Sequence, residues 1–468
     1  MSYPKIIQGG MGFGISGWPL ARAVSTAGQL GTVTLVGADI FLARNLQKGD
    51  LLGDFRRALA HFPFPHIAER VLKAFYVKGG IPEHTRYKGK PFFTIAPQPE
   101  LIALTVCASF VLVYLAKEGH TNPVSANLME KIALPIPCLV LGGMLAGVDF
   151  LTVGAGIPRQ IPDLIDAIAE GRPIQYNVEV VGIDGKVVTR TLNFDSKFKE
   201  TFGSELPPMK KPGFIPIVAS NALALTFAKK YEGRVAGLVI EGPTAGGHNA
   251  PPRTPGFNEH GEPTLVYGEK DVVDYKRVAE LGVPFWIAGS FNSRERLDWA
   301  ISRGAKGVQL GSIFATCEQS SMDPTIRQRV IERGSTGELK VRTDERISPT
   351  GYPFQVAELE GTISEASVYA ARERVCSQCV LATLYEKPDG SIGYRCPAEP
   401  VEKYESKGGD PKDTVGRGCL CSGLLATAGL GDPGEPPVVT IGKDLSHLRR
   451  LKSPYSAQDA INLVLGAS

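Results

Sequence analysis

Three apolar runs that each end in small residues constrain this chain more than any other feature. Val235-Ala236-Gly237-Leu238-Val239-Ile240 opens into Glu241-Gly242-Pro243-Thr244-Ala245-Gly246-Gly247-His248. Pro284-Phe285-Trp286-Ile287-Ala288 opens into Gly289-Ser290, and Gly307-Val308-Gln309-Leu310 into Gly311-Ser312. Runs without polar alternation read as strands covered on both faces, the condition of a parallel sheet wrapped by helices. Glycine at the strand ends lets backbone approach a flat ligand closely. Three such strands in succession place one ligand at the C-terminal rim of a parallel barrel.

The rest of the chain reads the same way. Strand-like runs recur at 5–8, 30–36, 91–95, 138–141, 149–153 and 215–218, with helical patterns at 161–170, 221–230, 272–281 and 293–303. This alternation predicts an α/β fold, a TIM (β/α)8 barrel over residues 1–322. Two stretches interrupt it. Residues of about 41–90 are Arg-rich and aromatic, with helical patches at 55–60 and 67–74. Those at 174–212 begin with a hairpin-like alternation turning at Asp184-Gly185. Residues 323–468 are richer in Pro and Gly and hold five of the eight cysteines, which predicts a Cys-containing extension that covers the barrel.

A net charge of +3, dispersed along the chain, excludes nucleic acid and the membrane surface as partner classes. The apolar run at 101–116 falls short of the roughly 20 residues that span a bilayer, and reads as a buried element. Without a secretory signal pattern the cysteines are expected to be reduced thiols and the location cytoplasmic.

The turns at Gly289-Ser290 and Gly311-Ser312 are about 20 residues apart, and each follows a predicted strand. Backbone N–H groups and helix dipoles there can hold a phosphate without a lysine. His248, after Gly246-Gly247 at a strand end, is the candidate catalytic side chain; His260, in a loop, is not. Gly12-Phe13-Gly14-Ile15-Ser16-Gly17 matches a dinucleotide fingerprint, with Asp39 as a nominal ribose ligand, but Gly9 and Gly10 make the turn too long. It reads instead as a loop lying against a flat ligand. No carboxylate pair, Ser–His–Asp set or P-loop stands out.

With these residues in place the chain resembles the nitronate monooxygenase (2-nitropropane dioxygenase) family. The matching motifs run in one order: Ile7-Gln8-Gly9-Gly10-Met11, Pro123-Val124-Ser125-Ala126-Asn127-Leu128, Gly154-Ala155-Gly156-Ile157-Pro158, Ala245-Gly246-Gly247-His248, Ala288-Gly289-Ser290 and Gly307-Val308-Gln309-Leu310-Gly311-Ser312. The resemblance implies an FMN cofactor. Gly10, Met11, Gly12, Asn127 and Gly247 would lie at the flavin, Gly289, Ser290, Gln309, Gly311 and Ser312 would hold its phosphate end, and His248 would be catalytic. It implies oxidation of alkyl nitronates with O₂. Gln8-Gly9-Gly10-Met11 stands where the short nitronate enzymes have Gln-Ala-Pro-Met, and Gly289-Ser290 where Gly-Gly is usual. The insertion and long C-terminus resemble enoyl reductases that act in trans with polyketide or polyunsaturated fatty acid synthases. Two alternatives follow: an NAD(P)H-dependent FMN enoyl-thioester (enoyl-ACP/CoA) reductase, and a non-catalytic flavin-binding partner of a synthase. A small-molecule substrate is expected (nitronate or enoyl thioester), and acyl carrier protein and a second copy of the chain are the macromolecular partners these readings allow.

Cys376-Ser377-Gln378-Cys379, Cys396 and Cys419-Leu420-Cys421 are irregularly spaced for a metal site, and buried cysteine behaves as a small hydrophobe. No metal is expected.

Overall fold

The computed structural model describes residues 3–203, 205–254, 256–257 and 263–467; His260 lies outside them. Eight parallel strands form the central sheet: β1 (Ile6–Gln8), β2 (Gly31–Thr34), β3 (Val124–Met129), β4 (Phe150–Gly154), β5 (Gly213–Val218), β6 (Leu238–Glu241), β7 (Phe285–Ala288) and β8 (Gly307–Leu310). Their order is β1-β8-β7-β6-β5-β4-β3-β2. A parallel bridge between Ile7 and Leu30, with Gln8 N–H donating to Leu30 O at 2.9 Å and Leu30 N–H to Ile6 O at 3.1 Å, brings the two ends together and closes the barrel.

The two-residue period of a strand sorts the side chains. Ile7, Ile215, Val239, Trp286 and Ala288 form a compact inner cluster. Their neighbours Ile6, Phe214, Leu238, Ile240, Phe285, Ile287 and Val308 join the larger core shared with the helices. Continuing the inward set toward the C-terminal ends leads to Glu241 after Val239. Ile7 pairs with Gln309, so Gln309 is inward too. The alternation that fills the barrel therefore delivers polar groups to its rim.

Helices 161–170 and 221–230 form as expected, as Ile161–Glu170 and Asn221–Lys230, and 293–303 contains Arg294–Ser302. The pattern at 272–281 gives only a short helix, Tyr275–Ala279. Two expected strands are absent as strands. Residues 91–95 form an irregular segment, and 138–141 lie within helix Ile136–Leu145, whose residues are nearly all buried. Uniform burial removes the periodicity that would separate helix from strand. The third strand is instead Val124–Met129, whose Ser125 and Asn127 make it look unlike a core strand.

Residues 101–116 lie in helix Pro99–Lys117, long and apolar enough to cross a membrane by composition, yet 83% buried within the protein. It packs against Trp18–Thr26, Ala38–Gln47 and Ile136–Leu145.

The expected hairpin is present, as Gln175–Val181 paired antiparallel to Val187–Asn193. It is extended into a four-stranded sheet by Thr383–Glu386 and Ile392–Arg395, through the pair Tyr385 and Val181. Buried Arg44, from the first interruption, pairs with Asp432 at 2.7 Å. Residues after 322 thus contact both interrupting stretches.

Candidate active site

A cavity of about 220 Å³ opens at the C-terminal rim of the barrel. Gly10, Met11, Gly12, Asn127, Gly247, His248, Gly289, Ser290, Gln309, Gly311 and Ser312 all line it. Loops after β1, β6, β7 and β8 supply most of them, and β3 supplies Asn127. Asp39 does not line it: its carboxylate is paired with Lys90 Nζ at 2.7 Å, which agrees with setting the dinucleotide fingerprint aside.

Gly10 and Asn127 make the narrowest contact. A Cβ on Gly10 would lie 2.2 Å from Asn127 Cβ, so only glycine fits. Asn127 Oδ1 accepts from Thr34 Oγ1 at 3.0 Å, which fixes the amide against that loop. The result is a flat wall of backbone and one oriented amide.

At the opposite end, Gly289 has φ +99° and Ser290 φ +62°. A turn of this kind can direct backbone N–H groups toward an anion. The N–H groups of Gly289, Ser290 and Gly311 have no acceptor among the described residues. Ser312 plays a different part from the one its position suggests. Its Oγ accepts the Gly442 N–H at 2.8 Å, so only its own O–H remains to donate. Gln309 Oε1 is buried and has no partner, an orphaned acceptor beside the cavity.

Glu241 and His248 reach the cavity between these ends and are partly accessible from it, though protein encloses both. His248 Nε2 lies 2.7 Å from Ser348 Oγ, and the ring stands edge-on to Phe354 at 4.8 Å. Burial, helped by the charge of Lys131, lowers its pKa to about 4, so the imidazole is neutral near pH 7. Burial alone raises Glu241 to about 7.

The His248 loop is clamped from the C-terminal part of the chain. Gln355 N–H donates to Gly247 O at 3.0 Å, and Asn249 N–H to Pro353 O at 2.9 Å. Gln355 Nε2 donates to Pro243 O at 3.0 Å and to Asn249 Oδ1 at 2.9 Å. Gly247 N–H donates to Thr440 Oγ1 at 2.8 Å. Sequence reasoning missed Glu241, Ser348, Gln355 and Thr440 as site residues. Glu241 closes a quoted strand and could have been found by continuing its inward period. Ser348 lies 100 residues from His248, and no local signal marks it.

Residues 211–346 match the family model described as Nitronate monooxygenase. No curated protein matches the sequence. Among solved structures, the chain is similar to FabK from Thermotoga maritima at 15% identity and a TM-score of 0.49, over 100% of this chain and 93% of that one. It is similar to nitroalkane oxidase from Streptomyces ansochromogenes at 12% identity and a TM-score of 0.46, over 99% of this chain and 95% of that one. The barrel stands on its own strand order and not on these likenesses. The matched segment holds β5 to β8, the Gly-Gly-His loop and both rim turns, and over that segment the chain is similar to the nitronate monooxygenase family.

Proposed function

We propose that the chain is an FMN-dependent oxidoreductase that oxidises alkyl nitronates with O₂. The observation that carries this reading is the convergence in one cavity of a neutral histidine, a glycine wall and an unsatisfied set of backbone donors. The residues present suit FMN on three counts. The Gly10–Asn127 wall matches a flat ring, Gln309 Oε1 needs a donor, and the Gly289, Ser290 and Gly311 N–H groups need an acceptor. We assign Gly10, Met11, Gly12, Asn127 and Gly247 to the ring, and Gly289, Ser290, Gln309, Gly311 and Ser312 to the phosphate end.

FMN, when bound, supplies the electron transfer; the protein supplies position and electrostatics. Neutral His248 can donate one N–H to a nitronate oxygen or accept a proton, and Ser348 Oγ at Nε2 orients the ring. Burial that raises Glu241 to about 7 lessens the negative charge it sets opposite an anionic substrate near neutral pH. Residues 1–322 are the catalytic barrel in this reading, and 323–468 its cover.

A second reading has one observation in its favour. Phe354, Leu381, Leu420 and Leu424 give the cavity an apolar wall, which suits the chain of an enoyl thioester and an NAD(P)H-dependent reductase. Absorbance of the flavin-loaded protein separates the two. Under anaerobic conditions a nitronate bleaches the flavin in the first reading and NADPH leaves it oxidised; the reverse pattern establishes the reductase. Release of FAD on denaturation, or failure to bind FMN, overturns the cofactor assignment.

A further inference from the structure

Five thiols that are far apart in sequence meet at one place. Cys376 and Cys379 sit on the turn before the hairpin Thr383–Glu386 and Ile392–Arg395, and Cys396 follows its second strand. Cys419 is the N-cap of helix Leu420–Thr427, and Cys421 lies in its first turn. All five line one small cavity of about 10 Å³, room for a single water-sized sphere. Its remaining lining is Pro349, Val380, Leu381, Ala398 and Leu420, with no carboxylate, amide or hydroxyl side chain.

The sulfurs lie close enough to influence one another. The Cys376 thiol interacts with those of Cys379 and Cys396, and the Cys419 thiol with that of Cys421. Cys419 also interacts electrostatically with Cys376 and Cys396. The backbone amides of Cys379, Ala398 and Ser422 lie near the sulfurs of Cys376, Cys396 and Cys419 and favour their thiolates. Cys379 itself holds φ +55°, a strained value for a non-glycine residue, on the turn that brings its thiol inward. Around the cluster, buried Glu399 accepts the Cys396 N–H at 3.1 Å and pairs with Lys407 at 2.6 Å, and Lys403 stands near Cys376. By contrast, Cys107, Cys138 and Cys317 are buried singly among core side chains, which is how cysteines acting only as hydrophobes behave.

We propose that Cys376, Cys379, Cys396 and Cys419 bind one structural zinc ion as a tetrathiolate. The pair Cys376-x₂-Cys379 has the spacing of a zinc-binding turn, and a turn, hairpin and helix N-terminus together present four sulfurs from different directions. Backbone amides near the sulfurs and nearby lysines offset the negative charge that four thiolates leave around a divalent ion. Among the described residues no group of three His, Cys, Asp or Glu stands ready-made around an ion position. Occupation therefore requires the thiols to re-aim, a change that rotation of cysteine χ1 between its staggered wells supplies. Room for one ion favours zinc over an iron–sulfur cube. Binding releases the thiol protons.

The test is metal analysis of the full-length protein purified without chelator, independent of any flavin or substrate. One zinc per chain is expected, displaced by a mercurial reagent as four thiols are titrated. C376S and C396S should lose at least tenfold in zinc content, and C138A should keep it. Zinc below a tenth of an equivalent in wild-type protein that is also not restored by added zinc overturns the proposal. So does iron with acid-labile sulfide. If the serine variants do not fold, the wild-type stoichiometry still decides.

Discussion

Ser348 Oγ lies 2.7 Å from His248 Nε2, and the two residues come from opposite sides of the barrel's last strand in sequence. The hydroxyl engages Nε2 as donor or acceptor and so orients the imidazole ring. Ser348→Ala removes one neutral hydrogen bond, worth about 0.5–1.5 kcal/mol. The expected outcome is a kcat reduced by roughly two- to tenfold with FMN affinity unchanged. Stopped-flow reduction of the flavin together with a binding titration reads both quantities. An unchanged rate would make the contact structural.

His248→Ala should stay yellow and lose turnover by on the order of 10²–10⁴-fold, the usual contribution of a general acid or base. His248→Asn keeps a donor but cannot exchange a proton near neutral pH. Wild-type rates in Asn alone would assign the role to hydrogen bonding, and wild-type rates in both would remove His248 from the chemistry.

Gly10→Ala places a Cβ 2.2 Å from Asn127, whose amide is held by Thr34. Overpacking of this kind costs about 1–3 kcal/mol. The flavin wall is what shifts, so FMN affinity should fall by roughly tenfold or more while the circular dichroism spectrum holds. Equal FMN affinity in the variant would place the ring elsewhere.

Ser312→Asp should also weaken FMN, through charge and not size. Its carboxylate would face the donors left open by Gly289, Ser290 and Gly311 and repel a phosphate dianion. Fluorescence of released FMN at a series of dilutions measures it, and an unchanged dissociation constant would move the phosphate away from these turns.

Stability should depend on pH through three buried groups. His248 and His447 are each held down at about 4 by burial, below the ordinary value of 6.5. Their contribution is complete above pH 6.5 and is lost as pH falls through 4. Glu241 runs the other way, raised from 4.5 to about 7. Its contribution is complete below pH 4.5 and is lost as pH rises through 7. In the flavin-free protein Glu241→Gln should therefore raise the melting temperature relative to wild type more at pH 8 than at pH 4.5. Parallel melting curves across that range would place Glu241 in water.

Much of this site was legible because its parts are local. A strand that ends in Gly-Gly-His or Gly-Ser states its own geometry, and Gly247, His248, Gly289, Ser290, Gln309, Gly311 and Ser312 from such motifs line one cavity. Gly10, Met11 and Gly12 of the first loop join them, as does Asn127, which only the family resemblance placed there. What was not legible depends on distance or on cancelled patterns. Ile136–Leu145 is buried all round, so its sequence carries no period to read. Val124–Met129 faces the barrel interior with Ser125 and Asn127, so it lacks the apolar signature of its neighbours. Cys376, Cys396 and Cys419 meet only because a hairpin and a helix fold back on one another, and spacing alone made them look unrelated.

The clamp on the His248 loop also orders events during synthesis. A ribosome that has released β8 at Leu310 has completed every strand of the barrel, yet Ser348, Gln355 and Thr440 are still to come. The loop then lacks its hydrogen-bonding partners, and one wall of the cavity, at Leu420 and Leu424, is missing. Contacts of such long sequence separation form late. A nascent chain can thus carry every strand of the barrel while the cavity still lacks its clamp and one of its walls.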